Sequence, residues 1–173
     1  MIIPVRIRRA TNGDVATIVG FNAQLAQETE GLALNREMAR RGVEDALADS
    51  AKGSYWLAEV HGAVVGQLLV TTEWSDWRDG YFWWIQSVFV RKEWRGRGIF
   101  QALFDFIREQ AAEHQEVCGV RLYVESANAR AKQIYEHLGM ERTHYEVYEM
   151  DFRKRPQRVS KDLFASSRLS LRD

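Results

Sequence analysis

Residues 88–100 constrain this chain more than any other stretch. An apolar strand end, Val88-Phe89-Val90, runs into a charged turn and then into Gly96-Arg97-Gly98 at the mouth of an amphipathic helix. Glycines let the backbone turn tightly and let a ligand come close to it. The first turn of a helix leaves N–H groups without intrahelical acceptors, and the helix dipole makes that end positive. With Arg95 and Arg97 beside it, the turn predicts a cradle for phosphate built on the backbone of Arg95, Gly96, Arg97, Gly98, Ile99, Phe100 and Gln101. Neither common nucleotide loop is met: G-x-G-x-x-G and G-x-x-x-x-G-K-[ST] are both absent here, since Gly98 is followed by Ile99, Phe100 and Gln101. Alone, the Gly-Arg-Gly turn also fits a plain strand-to-helix connection.

The rest of the chain reads as alternating strands and helices. Val5-Arg6-Ile7-Arg8 alternates as a strand, and Thr11 with Asp14 forms a helix-start signature before a stripe of Val15, Ile18, Val19, Asn22 and Leu25. That pattern breaks at Gly31, and a second helix is predicted over 36–47. Residues 54–60 and 63–72 predict a hairpin around His61-Gly62, with Gly66 marking a bulge or a close backbone approach. The nearly continuous apolar run 81–90 predicts a central strand covered on both faces. Ile99, Ala102, Leu103, Phe106, Ile107 and Ala111 recur at helical spacing. Residues 120–124 predict another central strand, 128–138 a short helix stopped by Gly139, and 140–144 and 146–152 two strands that complete the sheet.

Composition limits the partners. Lys plus Arg equal Asp plus Glu at 24 each among 173 residues, so no overall field favours nucleic acid or an anionic membrane, and neither is expected as a partner. The one cysteine, Cys118, rules out an internal disulfide and reads as a structural thiol near a strand start. The four histidines show no metal-ligand spacing, so no metal is expected. The early arginines do not suit a signal peptide and the apolar runs are too short for a membrane span, so a cytoplasmic protein is expected. Residues 1–152 read as one domain, and 153–173 as a basic, Ser-rich tail that either stays solvated or docks its leucines on the domain or on a second copy in a homodimer.

A second segment, from Glu125 through Asn128, Ala131, Tyr135 and Gly139 to Met140, gives the cradle a context. With it the chain resembles the GNAT superfamily of N-acetyltransferases. The first signature of that family is matched by Val90, Arg95 and Gly98, with Lys92 where a proline often stands and Phe100 in place of a small residue. Asn128, Ala131, Tyr135, Gly139 and Met140 match the second, and the likeness runs over 5–152. The resemblance implies an α/β fold with a mixed, centrally splayed sheet flanked by helices. It implies transfer of an acetyl group from acetyl-CoA to a primary amine by direct attack in a ternary complex. A non-catalytic acyl-CoA-binding module and transfer of another acyl group are the alternatives.

The resemblance also implies roles. The cradle N–H groups would hold the pyrophosphate of CoA, and the pantetheine arm would run along Val88, Phe89 and Val90, with a backbone N–H near Val88 stabilising the oxyanion. Tyr135 would give a proton to the leaving thiolate, although its stripe with Ala131, Ile134 and Leu138 also fits a core tyrosine. Asn128 would orient the pantetheine or a water, or simply cap a helix. The amine needs a proton acceptor. Glu73 is preferred, on the reasoning that a strand end beside the splay would aim it inward. Glu28, Glu30 and Asp76 are the other carboxylates, with Gln86 as a water-positioning group. Acidic and aromatic residues over 73–84 suit either a cationic acceptor or an interface.

Overall fold

The computed structural model describes residues 4–152. They fall into two compact units, divided in sequence between Ala127 and Asn128. The first unit is a five-stranded sheet whose spatial order is its chain order: β1 Arg6–Arg9, β2 Ser54–Val60, β3 Ala63–Ser75, β4 Gly80–Val90 and β5 Val117–Leu122. Strands β1 to β4 pair antiparallel, and β5 runs parallel to β4. That parallel step requires a crossover, which helix α3, Ile99–Glu113, supplies.

Local chemistry sets most boundaries. Helix α1, Val15–Glu30, ends at Gly31, whose φ of 64° lets its N–H turn back to the carbonyls of Ala26 and Gln27. Helix α2, Arg36–Ala48, starts where the Asn35 side chain accepts from the Met38 N–H. His61 and Gly62 both take left-handed φ, at 50° and 78°, the geometry that joins β2 to β3 by a two-residue turn. Alternation along β2 separates the layers. Tyr55 and Leu57 join Ile18, Val19, Val43 and Ala46 under α1 and α2, whereas the ring of Trp56 lies 4.9 Å from that of Phe106 on α3. Leu103 and Ile107 of α3 are fully buried.

The start of α1 is fastened to β1. Arg8 forms a two-pronged ion pair with Asp14 at 2.8 Å per contact, and the Asp14 carboxylate also accepts from the N–H and hydroxyl of Thr11. These donors hold the Asp14 carboxyl well below the usual carboxylate range, the hydrogen bond from Arg8 being the largest cause. A folded-state pKa below the unfolded one contributes stability above about pH 4 that is lost as pH falls through and below that value. Asp14→Asn should therefore cost roughly 1–3 kcal/mol at neutral pH, in denaturant melts, by removing the two-pronged partner of Arg8, which keeps only the Glu59 carboxylate. The deficit should shrink on acidification below about pH 4, because the unfolded parent then binds a proton that its folded Asp14 does not.

Two strand expectations are corrected. The strand expected centrally at 120–124 is β5, six half-buried residues at the end of the five-stranded sheet. Residues 140–152 form no strand. Tyr145, Val147, Tyr148, Met150 and Phe152 are instead exposed. Alternation marks a segment able to be a strand, but only a partner's ladder of hydrogen bonds makes it one. In the second unit, helix α4 spans Ala129–His137, and Gly139 follows with φ of 84°. No helix among the described residues is long and apolar enough to cross a membrane. The basic tail, 153–173, lies outside the described residues.

Candidate functional site

The sheet parts at a place its register defines. On β4, Ile85 pairs with Leu122 of β5, and pairing then stops while β4 continues for five residues, 86–90. On its other side β4 stays with β3, with Leu69 opposite Gln86 and Gln67 opposite Phe89. One residue of β3, Leu68, thus faces two of β4, Ser87 and Val88, which is a β-bulge. Ser87 takes φ of 49°, in the left-handed region that a serine enters at a cost. The bulge bends β4 where β5 leaves it. From Gln86 to Val90, β4 therefore has no β5 partner along that edge, where the Val90 carbonyl accepts from the Arg95 side chain instead.

Helix α3 begins at the end of that edge. Ile99, its first residue, is almost fully buried, and a Cβ built on Gly66 would come within 3.1 Å of its side chain. Gly66 is thus a close-approach glycine that lets the helix start seat on β3. Gly96 and Gly98 have φ of 74° and 77°, and Cβ atoms built on them meet nothing within 4 Å, so the turn is open to solvent. The first intrahelical bond runs from the Ala102 N–H to the Gly98 carbonyl at 2.9 Å. The N–H groups of Ile99, Phe100 and Gln101 therefore belong to the first turn and point out of the helix mouth. The helix mouth thus adjoins the part of β4 that β5 leaves.

The two arginines are used differently from the sequence reading. Arg95 donates through Nε to the Val90 carbonyl at 2.9 Å and through its terminal nitrogen to Glu28 at 2.6 Å. Its guanidinium also lies 5.6 Å from the Phe89 ring centre. Arg95 thus braces the end of β4 against α1, and Arg97 lies over Trp94 at 5.2 Å. The cradle's positive character at this point comes from the backbone. Phe100 packs toward Phe104 with ring centres 6.1 Å apart, and Gln101 donates to Asp105 at 2.8 Å.

Glu73 does not lie beside the splay. It sits opposite Phe82, where β4 is still paired with Gly119 of β5, five residues before Ser87, or about 17 Å along the strand. β3 runs antiparallel to β4, so its C-terminal end meets the start of β4 rather than the parted end. One Glu73 oxygen accepts from Arg121 at 3.0 Å and the other from the Trp84 indole. The group reads as a tie across three strands. Glu73→Gln should cost less than ~1 kcal/mol, as an exposed pair does, and leave kcat within about threefold. A hundredfold loss of kcat would return it to the proton-acceptor role. Glu28 is engaged by Arg95, and Gln86, one residue before the bulge, donates to the Thr71 hydroxyl.

Aromatic residues gather on β4 and its turn. Trp74 meets Tyr81 edge-on at 4.9 Å, Trp84 stacks on Tyr123 at 4.4 Å, and Arg121 sits 3.5 Å from the Phe82 ring centre. Trp77 is 84% exposed.

In the second unit, the Asn128 side chain accepts from the Ala131 N–H at 3.0 Å, which is the helix-cap role. Tyr135 is half-buried, and burial pushes its phenol pKa up. Sequence reasoning missed a buried polar group under the bulge, formed by Asn22, Tyr55, Gln67 and Ser87. Its signal was a glutamine, Gln67, inside the apolar run 64–70, and an asparagine, Asn22, on an otherwise apolar helix stripe.

Known proteins agree with this geometry. The sequence profile of the Acetyltransferase (GNAT) family matches residues 22–140. A possible acetyltransferase from Clostridium difficile 630 is 45% identical, with a TM-score of 0.80 over 85% of this chain and 97% of that one. A predicted acetyltransferase with acetyl-CoA from Clostridium acetobutylicum shares the fold at 18% identity, with a TM-score of 0.68 over 86% of this chain and 96% of its own. No protein of curated function matches the chain closely enough to lend it one. A profile spanning more than half of the chain, together with a splayed sheet beside an open helix mouth, is sufficient: the chain belongs to the GNAT acetyltransferase family.

Proposed function

We propose that this protein transfers an acetyl group from acetyl-CoA to a primary amine by direct attack in a ternary complex. One observation carries the reading: from Gln86 to Val90, β4 runs on without β5 beside it and leads into the glycine-flanked mouth of α3. A pantetheine arm carries two amides and can pair with such an edge. Its pyrophosphate would then reach the N–H groups of Gly96 to Gln101. Asn128 would add a contact to the arm.

In this reading the amine nitrogen attacks the thioester carbon, forming the C–N bond as the C–S bond breaks. The Val88 N–H donates to the oxygen that becomes negative. The thiolate takes a proton from Tyr135, whose raised pKa keeps the phenol protonated across the neutral range. The amine's proton passes to a water, and Gln86, next to the bulge, is the group named above best placed to hold it. The aromatic and acidic residues over 73–84 favour a cationic acceptor.

The test is thiol release. The protein is incubated with acetyl-CoA and a panel of polyamines, aminoglycosides and peptide amino termini while free CoA is followed. Turnover with an amine and acetylation of that amine support the reading. Tight CoA binding with no turnover across the panel would favour a binding module instead.

A further inference from the structure

The sheet carries one polar cluster in its interior, and that cluster converges on the bulge. Gln67 is fully buried, yet its Nε2 donates to Asn22 Oδ1 at 2.7 Å and to the Ser87 carbonyl at 3.2 Å. Asn22 Nδ2 donates to the Tyr55 hydroxyl at 3.1 Å, and the Ser87 hydroxyl bonds the same phenol. Ser87 is therefore held at its carbonyl by Gln67 of β3 and at its hydroxyl by Tyr55 of β2, and Asn22 of α1 links those two side chains. Gln67 Oε1 has no hydrogen-bond partner among the described residues. A buried amide with an orphaned acceptor is a poor way to stabilise a core, and leucine would fill similar space without that penalty. Ser87 also sits at a left-handed φ, a strain that persists only where the surroundings over-determine it.

The direction of one peptide group follows from this grip. No described peptide bond is cis, so the Ser87 carbonyl and the Val88 N–H point in opposite directions. With the carbonyl held by the Gln67 side chain of β3, the Val88 N–H points away from that amide, at a position where β5 no longer pairs with β4. We infer that Gln67 is a positioning residue: by holding the Ser87 carbonyl, it aims the Val88 N–H at the thioester oxygen of the acyl donor. Asn22 and Tyr55 in turn hold Gln67 in place. The inference rests on the acetyl-transfer reading above. It adds that the aim of the oxyanion donor is set from within the core.

The test separates the two. Nitrogen-15-labelled full-length protein is titrated with CoA and then with acetyl-CoA, which differ only at the acyl group. In the parent, both ligands should move the Gly96 and Gly98 amide resonances, and acetyl-CoA should move Val88 further than CoA does. In Gln67→Leu the Gly96 and Gly98 responses and the CoA dissociation constant should stay within about twofold, while the acetyl-dependent shift at Val88 disappears. With an amine that turns over, kcat should fall roughly 10- to 100-fold at unchanged KM for acetyl-CoA, part of the loss caused by deleting an oxyanion donor. A role confined to stability would lower Tm without erasing the Val88 response. Should Gln67→Leu fail to fold, Gln67→Met and Tyr55→Phe provide the same comparison. An intact Val88 response in folded variants overturns the inference, as does a parent whose Val88 never distinguishes the two ligands. Silence at Gly96 and Gly98 in the parent would instead overturn the acetyl-CoA reading.

Discussion

Gly98→Val should weaken coenzyme A binding at least ~100-fold by calorimetry while the protein stays folded. Gly98 is the residue before α3, at φ of 77°. A left-handed conformation costs a non-glycine residue about 1–2 kcal/mol, which a domain with a typical reserve of about 5–15 kcal/mol survives. The side chain itself meets no obstacle in the free protein, since a Cβ there finds nothing within 4 Å. That open space is the space a diphosphate would need. A valine would stand over the N–H groups of Ile99 to Gln101 and exclude at least two charge-assisted hydrogen bonds of about 1.5–3 kcal/mol each. At about 1.4 kcal/mol per factor of ten, losing two exceeds two decades of affinity. Gly98→Ala should give an intermediate loss. An unchanged dissociation constant in a folded Gly98→Val would mean that the helix mouth is not where the cofactor is held.

How far the site could be read in advance depends on what each feature needs. Helices α1, α2 and α3 follow from periodicity and local caps, such as Gly31 behind α1 and Asn35 before α2, which act within a few residues of themselves. The Gly96 and Gly98 turn was legible for the same reason: its positive φ values are written in the residue type. The splay was not. It exists because β5, from the far side of α3, stops pairing at Leu122, and nothing within 80–90 records that. The bulge was hidden as well, since Ser87 carries its left-handed φ without the glycine that would have advertised it. Glu73 was misread because a strand end was assumed to lie at the parted end of the sheet, and only the antiparallel register of β3 and β4 shows the opposite. Arg95 looked like a phosphate ligand beside glycines, but Glu28, 67 residues away in sequence, claims its guanidinium. In each case the missing information was a partner distant in the chain.

Tyr135→Phe should lower kcat roughly 10²- to 10³-fold and leave the KM for acetyl-CoA nearly unchanged, as measured by thiol release under saturating donor. The substitution removes one oxygen and keeps the ring, so packing within α4 is preserved. What it removes is a proton source. A thiolate leaving a thioester has a reference pKa of about 8.5, below that of a phenol at about 10. The phenol can therefore give up its proton only while an amine is pushing electrons into the carbonyl and negative charge is accumulating on sulfur. Burial raises the Tyr135 pKa further because it disfavours the phenolate. The protonated form, which is the donor, then persists to higher pH than an exposed tyrosine would allow. The parent's kcat should accordingly decline on the alkaline side only at a higher pH than an exposed tyrosine's titration would give. In Tyr135→Phe that alkaline decline should vanish along with most of the rate. A mutant that keeps the decline but loses the rate would assign it to another group, and a mutant with the parent's kcat would remove Tyr135 from the chemistry altogether.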